Sequence, residues 1–347
     1  MSARSVLSVL DTSKYEITQI GITRAGKWLS GRDVLGAFER GSLDGLEPVM
    51  VLPDPSRSGL YALRGDNLEK VVDVDVYFPL LHGTFGEDGT LQGLFEMADA
   101  AYVGAGVLGS AVGMDKGVFK DVMRAIGIPT VNSMIVLRSE IERDPEAVIA
   151  RAEQVGAYPL FTKPANLGSS VGVTKCRTRA DLGEGLQEAS LFDRRVLVER
   201  GVTNLREIEV SVLGNDDPHA SVPGEVLPSR EFYSYEAKYV DGTSSLVIPA
   251  PLPAAVTARV QELAVRAFKG IDGAGMARAD FFLDTDSGEL FLNEINTIPG
   301  FTRISMYPKL WEASGMSYVQ LVDRLIELAM HRKAERERTR HTYRRET

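Results

Sequence analysis

A β-hairpin is predicted near the C-terminus by two strand-like runs in which apolar and polar positions alternate. The runs cover residues 277–283 and 290–295. Residues 284–288 between them include Asp, Ser and Gly, which favour a tight turn. The pattern therefore predicts two antiparallel strands joined by a short connection.

Four polar side chains interrupt the predicted strands at positions that bring them together. Arg278 and Asp280 are two residues apart on the first strand, and Glu294 and Asn296 are two apart on the second. Residues two apart point to the same face of a strand, so the hairpin gathers two carboxylates, an amide and a guanidinium on one patch. Hard oxygen ligands of this kind suit Mg²⁺ held together with substrate phosphates. The simpler alternative is an ordinary hairpin whose solvent face is charged.

The first hundred residues alternate strand-like and helical patterns. Residues 15–23 and 74–81 are predicted to be strands, the second apolar enough to be buried on both faces. Residues 93–100 are predicted to be a short helix, and residues 101–103 a further short strand. Strand and helix in alternation predict an open parallel α/β sheet.

The remainder of the chain mixes amphipathic helices with short strands. Asp115 is a predicted N-cap, and Cys176 lies in a strand-like run, where it is expected to be structural. The predicted helices cover residues 115–125, 145–155, 253–268 and 318–329, and the predicted strands cover 159–164 and 195–199.

Composition narrows the class of protein. The 347 residues are 44% hydrophobic and 25% charged, as is usual for globular proteins, and they allow two or three domains. The net charge of −9 argues against a nucleic-acid binder. A single cysteine excludes a disulfide framework and a cysteine-based zinc site. Because no run resembles a membrane span or a signal peptide, we expect a cytoplasmic protein without a membrane partner.

Long strings of residues resemble one enzyme family. The run R-A-D-F…N-E-I-N-T-I-P-G-F-T-x-x-S-M-Y-P-K-L-W around the hairpin is similar to the C-terminal motif of D-alanine–D-alanine ligases, which belong to the ATP-grasp superfamily. The strings H-G-x-x-G-E-D-G-T-L-Q-G from residue 82 and F-Y-x-Y-E-A-K-Y from residue 232 resemble the same family. The resemblance implies an α/β protein in which two α+β subdomains grip ATP, preceded by an open parallel α/β domain.

The resemblance implies four segments. Residues 1–106 form the N-terminal substrate-binding domain, residues 107–200 the small or central ATP-grasp subdomain, and residues 201–330 the C-terminal subdomain with the metal site. Residues 331–347 are a basic tail, predicted to be a frayed helix end or disordered, to which we assign no function.

The implied reaction joins two D-alanines through an acyl phosphate, with release of ADP and phosphate, for peptidoglycan precursors. The family resemblance implies two Mg²⁺ or Mn²⁺ ions held by Asp280, Glu294 and Asn296. It implies ATP contacts from Lys116, Lys163, Ser169, Ser170, Glu199, Val202, Glu207, Phe232, Lys238 and Phe282. It implies catalytic roles for Arg278, Ser169, Tyr239 and Gly300, and substrate contacts from His82, Ser305, Met306 and Lys309. A homodimer is also implied.

The beginning of the chain departs from the family pattern. The family opens with a strand and a glycine-rich loop of the form G-G-x-S-x-E-H-x-V-S, whereas residues 1–7 resemble the helix after that loop. The N-terminal domain is therefore expected to be incomplete, through a start site placed too far downstream or a true truncation. Alternative functions are a weakly active nucleotide-binding paralogue, another ATP-grasp carboxylate–amine ligase, and a D-alanine–D-lactate ligase. Tyr239 favours D-alanine over D-lactate as the second substrate.

Overall fold

The computed structural model describes residues 1–227 and 245–340. The N-terminal part begins with a helix, as the sequence predicts for residues 1–7. Its elements are α1 (Ser2–Leu7), β1 (Ile20–Ile22), β2 (Trp28–Ser30), α2 (Val34–Arg40), β3 (Glu47–Met50), β4 (Leu60–Arg64), β5 (Asn67–Val72), β6 (Val76–Tyr77), α3 (Thr90–Met97) and β7 (Ala101–Tyr102).

The N-terminal sheet is antiparallel where the sequence predicts a parallel sheet. Strands β1 to β5 follow one another in chain order and every neighbouring pair runs in opposite directions. Within residues 1–106, all of which the structure describes, only β6 and β7 pair in parallel, and helix α3 joins them. Strands β2 and β3 are antiparallel although helix α2 lies between them. Parallel neighbours need a long crossover, and connections such as the two residues between β4 and β5 are too short for one. The predicted strands at 15–23 and 74–81 shorten to three and two residues.

The central part is a four-stranded antiparallel sheet covered by helices, with strand order β10-β9-β11-β8. Asp115 caps α5 as predicted, because its side chain accepts hydrogen bonds from the backbone N–H groups of Gly117 and Val118. Cys176 is buried in the hydrophobic core of this part, as expected for a structural cysteine. The elements are α4 (Val107–Met114), α5 (Lys116–Ala125), β8 (Ser133–Leu137), α6 (Arg138–Arg143), α7 (Pro145–Ala152), a 3₁₀ turn (Glu153–Val155), β9 (Leu160–Pro164), β10 (Thr174–Cys176), α8 (Arg179–Phe192) and β11 (Arg195–Arg200).

The C-terminal part contains the predicted hairpin at the edge of a six-stranded antiparallel sheet of order β15-β14-β12-β16-β17, with β13 beside β12. Helix α9 packs its buried stripe of Val260, Leu263, Ala264 and Ala267 into the core on this sheet. The elements are β12 (Leu205–Gly214), β13 (His219–Ala220), β14 (Gly224–Leu227), β15 (Ser245–Val247), α9 (Ala254–Gly270), β16 (Gly275–Asp284), β17 (Leu290–Asn296), α10 (Met306–Ala313) and α11 (Tyr318–Glu337).

The last helix extends into the segment that the sequence assigns to a basic tail. Helix α11 runs to Glu337, and Arg332 Nη2 lies 2.7 Å from Glu96 Oε1 on α3. Arg336 Nη2 lies 2.8 Å from Asp99 Oδ1, just after the same helix. These ion pairs attach α11 to the N-terminal part, so the first half of the tail is ordered by contacts that lie more than 200 residues away in sequence. No helix within the described residues is long and apolar enough to cross a membrane.

Candidate functional site

The hairpin register brings acidic side chains into one row across three strands. Asp280 on β16 lies opposite Glu294 on β17 and opposite Glu209 on β12. Arg278 lies opposite Asn296, two residues along the hairpin from the pair of Asp280 and Glu294. The patch predicted from residue spacing is therefore present, with Glu209 as an additional carboxylate.

Arg278 pairs with two of the three carboxylates in this row. Its Nε and Nη2 each donate to Asp280 over 2.7 Å, and Glu209 Oε2 lies 2.9 Å from the same Nε. Burial alone would lower the pKa of Arg278, but Asp280 and Glu209 outweigh it and raise that pKa well above its usual value. Asn296 Nδ2 also donates to Asp280, over 3.0 Å. The residue pattern does not single out Glu209, although Glu209 lies two residues after Glu207 and so shares that residue's face of β12.

The oxygen atoms of three side chains on the hairpin suit a hard cation, and a cation of this kind also binds phosphate. Asp280 and Glu294 are carboxylates on adjacent strands, and Asn296 contributes an amide next to them. Within residues 1–227 and 245–340 no three His, Cys, Asp or Glu side chains are arranged as a metal centre by themselves. Two carboxylates with one amide match a Mg²⁺ site that is completed by substrate oxygens rather than an all-protein cage.

The segment after the hairpin brings Gly300 next to Ser305. Thr302 donates its backbone N–H to Ser305 Oγ over 3.0 Å, which folds the segment back on itself. A Cβ atom at Gly300 would lie 3.0 Å from Ser305 Oγ, so a larger residue there would require the serine hydroxyl to shift by a few tenths of an ångström. Ser305 is also the N-cap residue of α10. Met306 is buried beside Val226, and Lys309 is half-buried on the same helix.

His82 from the N-terminal part meets the hairpin segment. Its Nδ1–H donates to the backbone oxygen of Ile298 over 3.0 Å, and its Nε2 lies 3.3 Å from Ser2 Oγ. Burial lowers the pKa of His82, which keeps the imidazole neutral at pH 7. Glu87 in the same loop accepts a hydrogen bond from the backbone N–H of Gly83 over 2.5 Å. Burial raises the pKa of Glu87 to about 7. Glu87 is the acid of the H-G-x-x-G-E string, so the family resemblance of that string could have singled it out.

Lysines and one glutamate lie between α5 and the central sheet. Lys116 Nζ donates to the backbone oxygen of Leu167 over 2.5 Å, at the start of the predicted phosphate loop. Lys163 Nζ lies 2.7 Å from Glu199 Oε1. Lys120, which sequence analysis missed, lies 2.7 Å from Glu199 Oε2. Burial alone would raise the pKa of Glu199, but the two ammonium groups hold it at about 2.

The loop with Ser169 and Ser170 adopts an unusual backbone. Both serines have positive φ, at 57° and 56°, a conformation that non-glycine residues rarely adopt. A Cβ atom at Gly168 would lie 4.0 Å from the Cα of Gly83, so this loop approaches the loop of His82. Because Lys116 Nζ binds the Leu167 oxygen, the start of this loop lies between the loop of His82 and Lys116.

Of the remaining predicted nucleotide contacts, Glu207, Phe282 and Val202 lie within the described residues. Glu207 lies opposite Phe282, and both line a small cavity with Glu209 and Asp280. Val202 is half-buried just after β11, the strand that carries Glu199. The predicted contacts Phe232, Lys238 and Tyr239 lie outside the residues that the structure describes.

Comparison with known proteins shows the same family at both ends of the chain. The D-ala D-ala ligase N-terminus model matches residues 1–105, and the D-ala D-ala ligase C-terminus model matches residues 122–327. A D-alanine–D-alanine ligase of Heliobacterium modesticaldum is 49% identical over 337 residues, which cover 97% of this chain and 92% of that protein.

Solved structures agree with the sequence relatives. The D-alanine–D-alanine ligase of Coxiella burnetii superposes with a TM-score of 0.81 at 36% identity, covering 97% of this chain and 90% of that one. The VanG D-Ala:D-Ser ligase of Enterococcus faecalis superposes with a TM-score of 0.84 at 36% identity, covering 94% of each chain. The chain therefore belongs to the D-alanine–D-alanine ligase family and is an ATP-dependent ligase with the ATP-grasp fold.

Proposed function

We propose that this chain joins two D-alanines at the site around the hairpin, in two chemical steps driven by ATP. The observation that carries the proposal is the hydrogen bond between His82 Nδ1 and the Ile298 oxygen. It brings the N-terminal part against the segment between the acidic row and Ser305. Groups that are suited to bind a cation, a carboxylate and an oxyanion therefore lie around one site.

The chemistry requires an activated carboxylate, because a carboxylate oxygen is a poor leaving group. The γ-phosphoryl group of ATP passes to a carboxylate oxygen of the first D-alanine, and the product is an acyl phosphate. The amine of the second D-alanine then attacks the carbonyl carbon, and phosphate leaves with the transferred oxygen. The protein contributes mainly positioning and charge neutralisation to such steps.

The nucleotide lies between α5 and the two sheets in this proposal. Lys116 of α5 and Lys163 of β9 neutralise phosphate charge from one side. The backbone of the Ser169–Ser170 loop and the Lys238 side chain cover the phosphates. The adenosine part contacts Glu199, Val202, Glu207, Phe232 and Phe282.

The proposed cation site consists of Asp280, Glu294 and Asn296. Two Mg²⁺ or Mn²⁺ ions held by these residues would supply positive charge next to the β- and γ-phosphates. Support comes from the donor chemistry and from the direct opposition of Asp280 and Glu294 on adjacent strands. Arg278 holds the Asp280 carboxylate within reach of the same face.

The amino-acid substrates occupy the other side of the site. Arg278 and the N–H of Gly300 stabilise the oxyanion of the tetrahedral intermediate, and His82 orients the first D-alanine. Ser305 binds the carboxylate of the second D-alanine with Lys309 nearby, and Met306 borders its methyl group. Ser169 and Tyr239 complete the contacts to the reacting groups.

Further proposals concern assembly and cellular context. We propose a homodimer in the cytoplasm, where ATP and D-alanine are available for peptidoglycan precursors. Exposed apolar side chains at Phe85, Val107 and Leu108 offer surface that a second copy could cover. Light scattering tests the dimer, because a monomer mass at micromolar concentration would contradict it. The segments 1–106, 107–200 and 201–330 remain the proposed domains.

An ADP-release assay tests the proposed function. We expect ADP release to depend on D-alanine, to stop when EDTA removes divalent cations, and to resume with Mg²⁺ or Mn²⁺. Because one structural neighbour is named a D-Ala:D-Ser ligase, D-serine and D-lactate should be compared with D-alanine as second substrate. A product that contains D-lactate or D-serine in preference to D-alanine would contradict the proposed specificity.

A further inference from the structure

The ammonium group of a lysine is buried beside the proposed nucleotide site. The Lys120 side chain is only 1% exposed, on the face of α5 that also carries Lys116 one helical turn earlier. Lysine is almost never fully buried unless its charge is paired, because removing an ammonium from water is costly. An apolar residue at this position would avoid that cost, so the buried charge calls for a functional explanation.

The partner of Lys120 is a carboxylate that is shared between two lysines. Glu199 is 2% exposed and binds Lys120 through Oε2 and Lys163 through Oε1, each over 2.7 Å. Lys163 is the more accessible of the two lysines, at 13% exposure. Lys163 lies opposite Leu197 on the neighbouring strand β11, and Leu197 is two residues before Glu199. The side chains of Lys163 and Glu199 therefore extend from the same face of the sheet.

Two basic side chains share one carboxylate in this triad. Burial lowers the pKa of Lys120, and its ion pair with Glu199 opposes that shift. If Lys163 turned towards a phosphate, Glu199 would remain compensated by Lys120. Without Lys120, the same movement would leave a buried carboxylate unpaired, which is strongly unfavourable.

We propose that Lys120 is a positioning residue that keeps Glu199 paired and thereby releases Lys163 to bind nucleotide phosphate. This inference rests on the proposed nucleotide site. It predicts that Lys120 contributes to the affinity for phosphate groups rather than for the adenosine part of ATP. The expected loss on removing Lys120 is about 10- to 100-fold in ATP affinity, the range for one hydrogen bond to a charged group.

The experiment compares ATP and adenosine binding by calorimetry in wild type, Lys120→Met and Lys120→Arg. We expect Lys120→Met to weaken ATP binding by that factor, with a clearly smaller loss for adenosine because Glu199 stays paired with Lys163, and Lys120→Arg to retain most of the ATP affinity. Lys269→Met, which removes an exposed lysine of α9, is the matched control and should bind ATP as the wild type does. Equal losses for ATP and adenosine, or no loss at all, would overturn the role of Lys120.

A double-mutant cycle separates this mechanism from a general structural effect. In Glu199→Gln no carboxylate restrains Lys163, so removing Lys120 as well should change ATP affinity by less than about threefold. If Lys120→Met fails to fold, Lys120→Ala replaces it as the single variant, and the comparison of Glu199→Gln with its double variant can still refute the proposal. A further tenfold loss in the double variant would contradict the proposal. Failure of the wild type to bind ATP would instead refute the proposed nucleotide site.

Discussion

Replacing Arg278 by methionine tests whether this residue holds the acidic row together. Arg278 makes two 2.7 Å hydrogen bonds to Asp280 and a 2.9 Å ion pair with Glu209, and its side chain is only 17% exposed. Methionine would leave these opposed carboxylates without their cation, beside Glu294 on the next strand. Removing one partner of a buried ion pair costs about 3–5 kcal/mol. At about 2–4 °C per kcal/mol, the melting temperature should fall by roughly 6–20 °C.

Two further variants and a kinetic assay complete this test. Arg278→Lys keeps the charge but cannot form two parallel bonds to Asp280, so its loss of stability should be intermediate. Arg324→Met removes an exposed ion pair on α11 and should cost about 0–1 kcal/mol. Because Arg278 is also a proposed oxyanion donor, kcat for ligation should fall about 10²- to 10³-fold in Arg278→Met. A methionine variant that melts at the wild-type temperature would refute the structural part of the reasoning.

Four other variants test separate parts of the account. Substituting His82 by alanine should raise KM for the first D-alanine about tenfold or more while the Kd for ATP stays constant, and an equal change in both would contradict its role. Ser305→Ala should raise KM for the second D-alanine about tenfold, as measured by varying D-alanine at saturating ATP. The folded pKa of Glu199 is about 2, below the usual 4.5, so its stabilisation is present above pH 4.5 and is lost as the pH falls towards 2. Wild type should therefore lose stability more steeply than Glu199→Gln over that interval in urea titrations, and parallel curves would be evidence against the buried triad. Arg336→Ala should lower the melting temperature by a few degrees, because its ion pairs attach α11 to the N-terminal part.

Local patterns predicted the hairpin and its patch because they depend on alternation and turn residues within about twenty positions. The strand positions of Arg278, Asp280, Glu294 and Asn296 follow directly from a two-residue period. The helix cap at Asp115 is similarly local. Family resemblance then supplied roles that the residue pattern alone leaves open.

Features that depend on distant partners were not predictable in the same way. Lys120 resembles any lysine on an amphipathic helix, and its burial depends on Glu199, which lies 79 positions later in the sequence. The direction of a strand pair such as β4 and β5 depends on its short connection, which apolar patterning does not encode. The order of α11 beyond residue 330 depends on Glu96 and Asp99, so composition alone predicted a basic tail there.

Formation of D-alanyl-D-alanine through an acyl phosphate can be followed directly with an isotope label. The protein is supplied with ATP and with D-alanine labelled with ¹⁸O in its carboxylate, and the dipeptide and the phosphate are analysed by mass spectrometry. We expect D-alanyl-D-alanine together with inorganic phosphate that carries one ¹⁸O atom for each peptide bond formed. Phosphate without the label, or ADP release without dipeptide, would contradict this expectation.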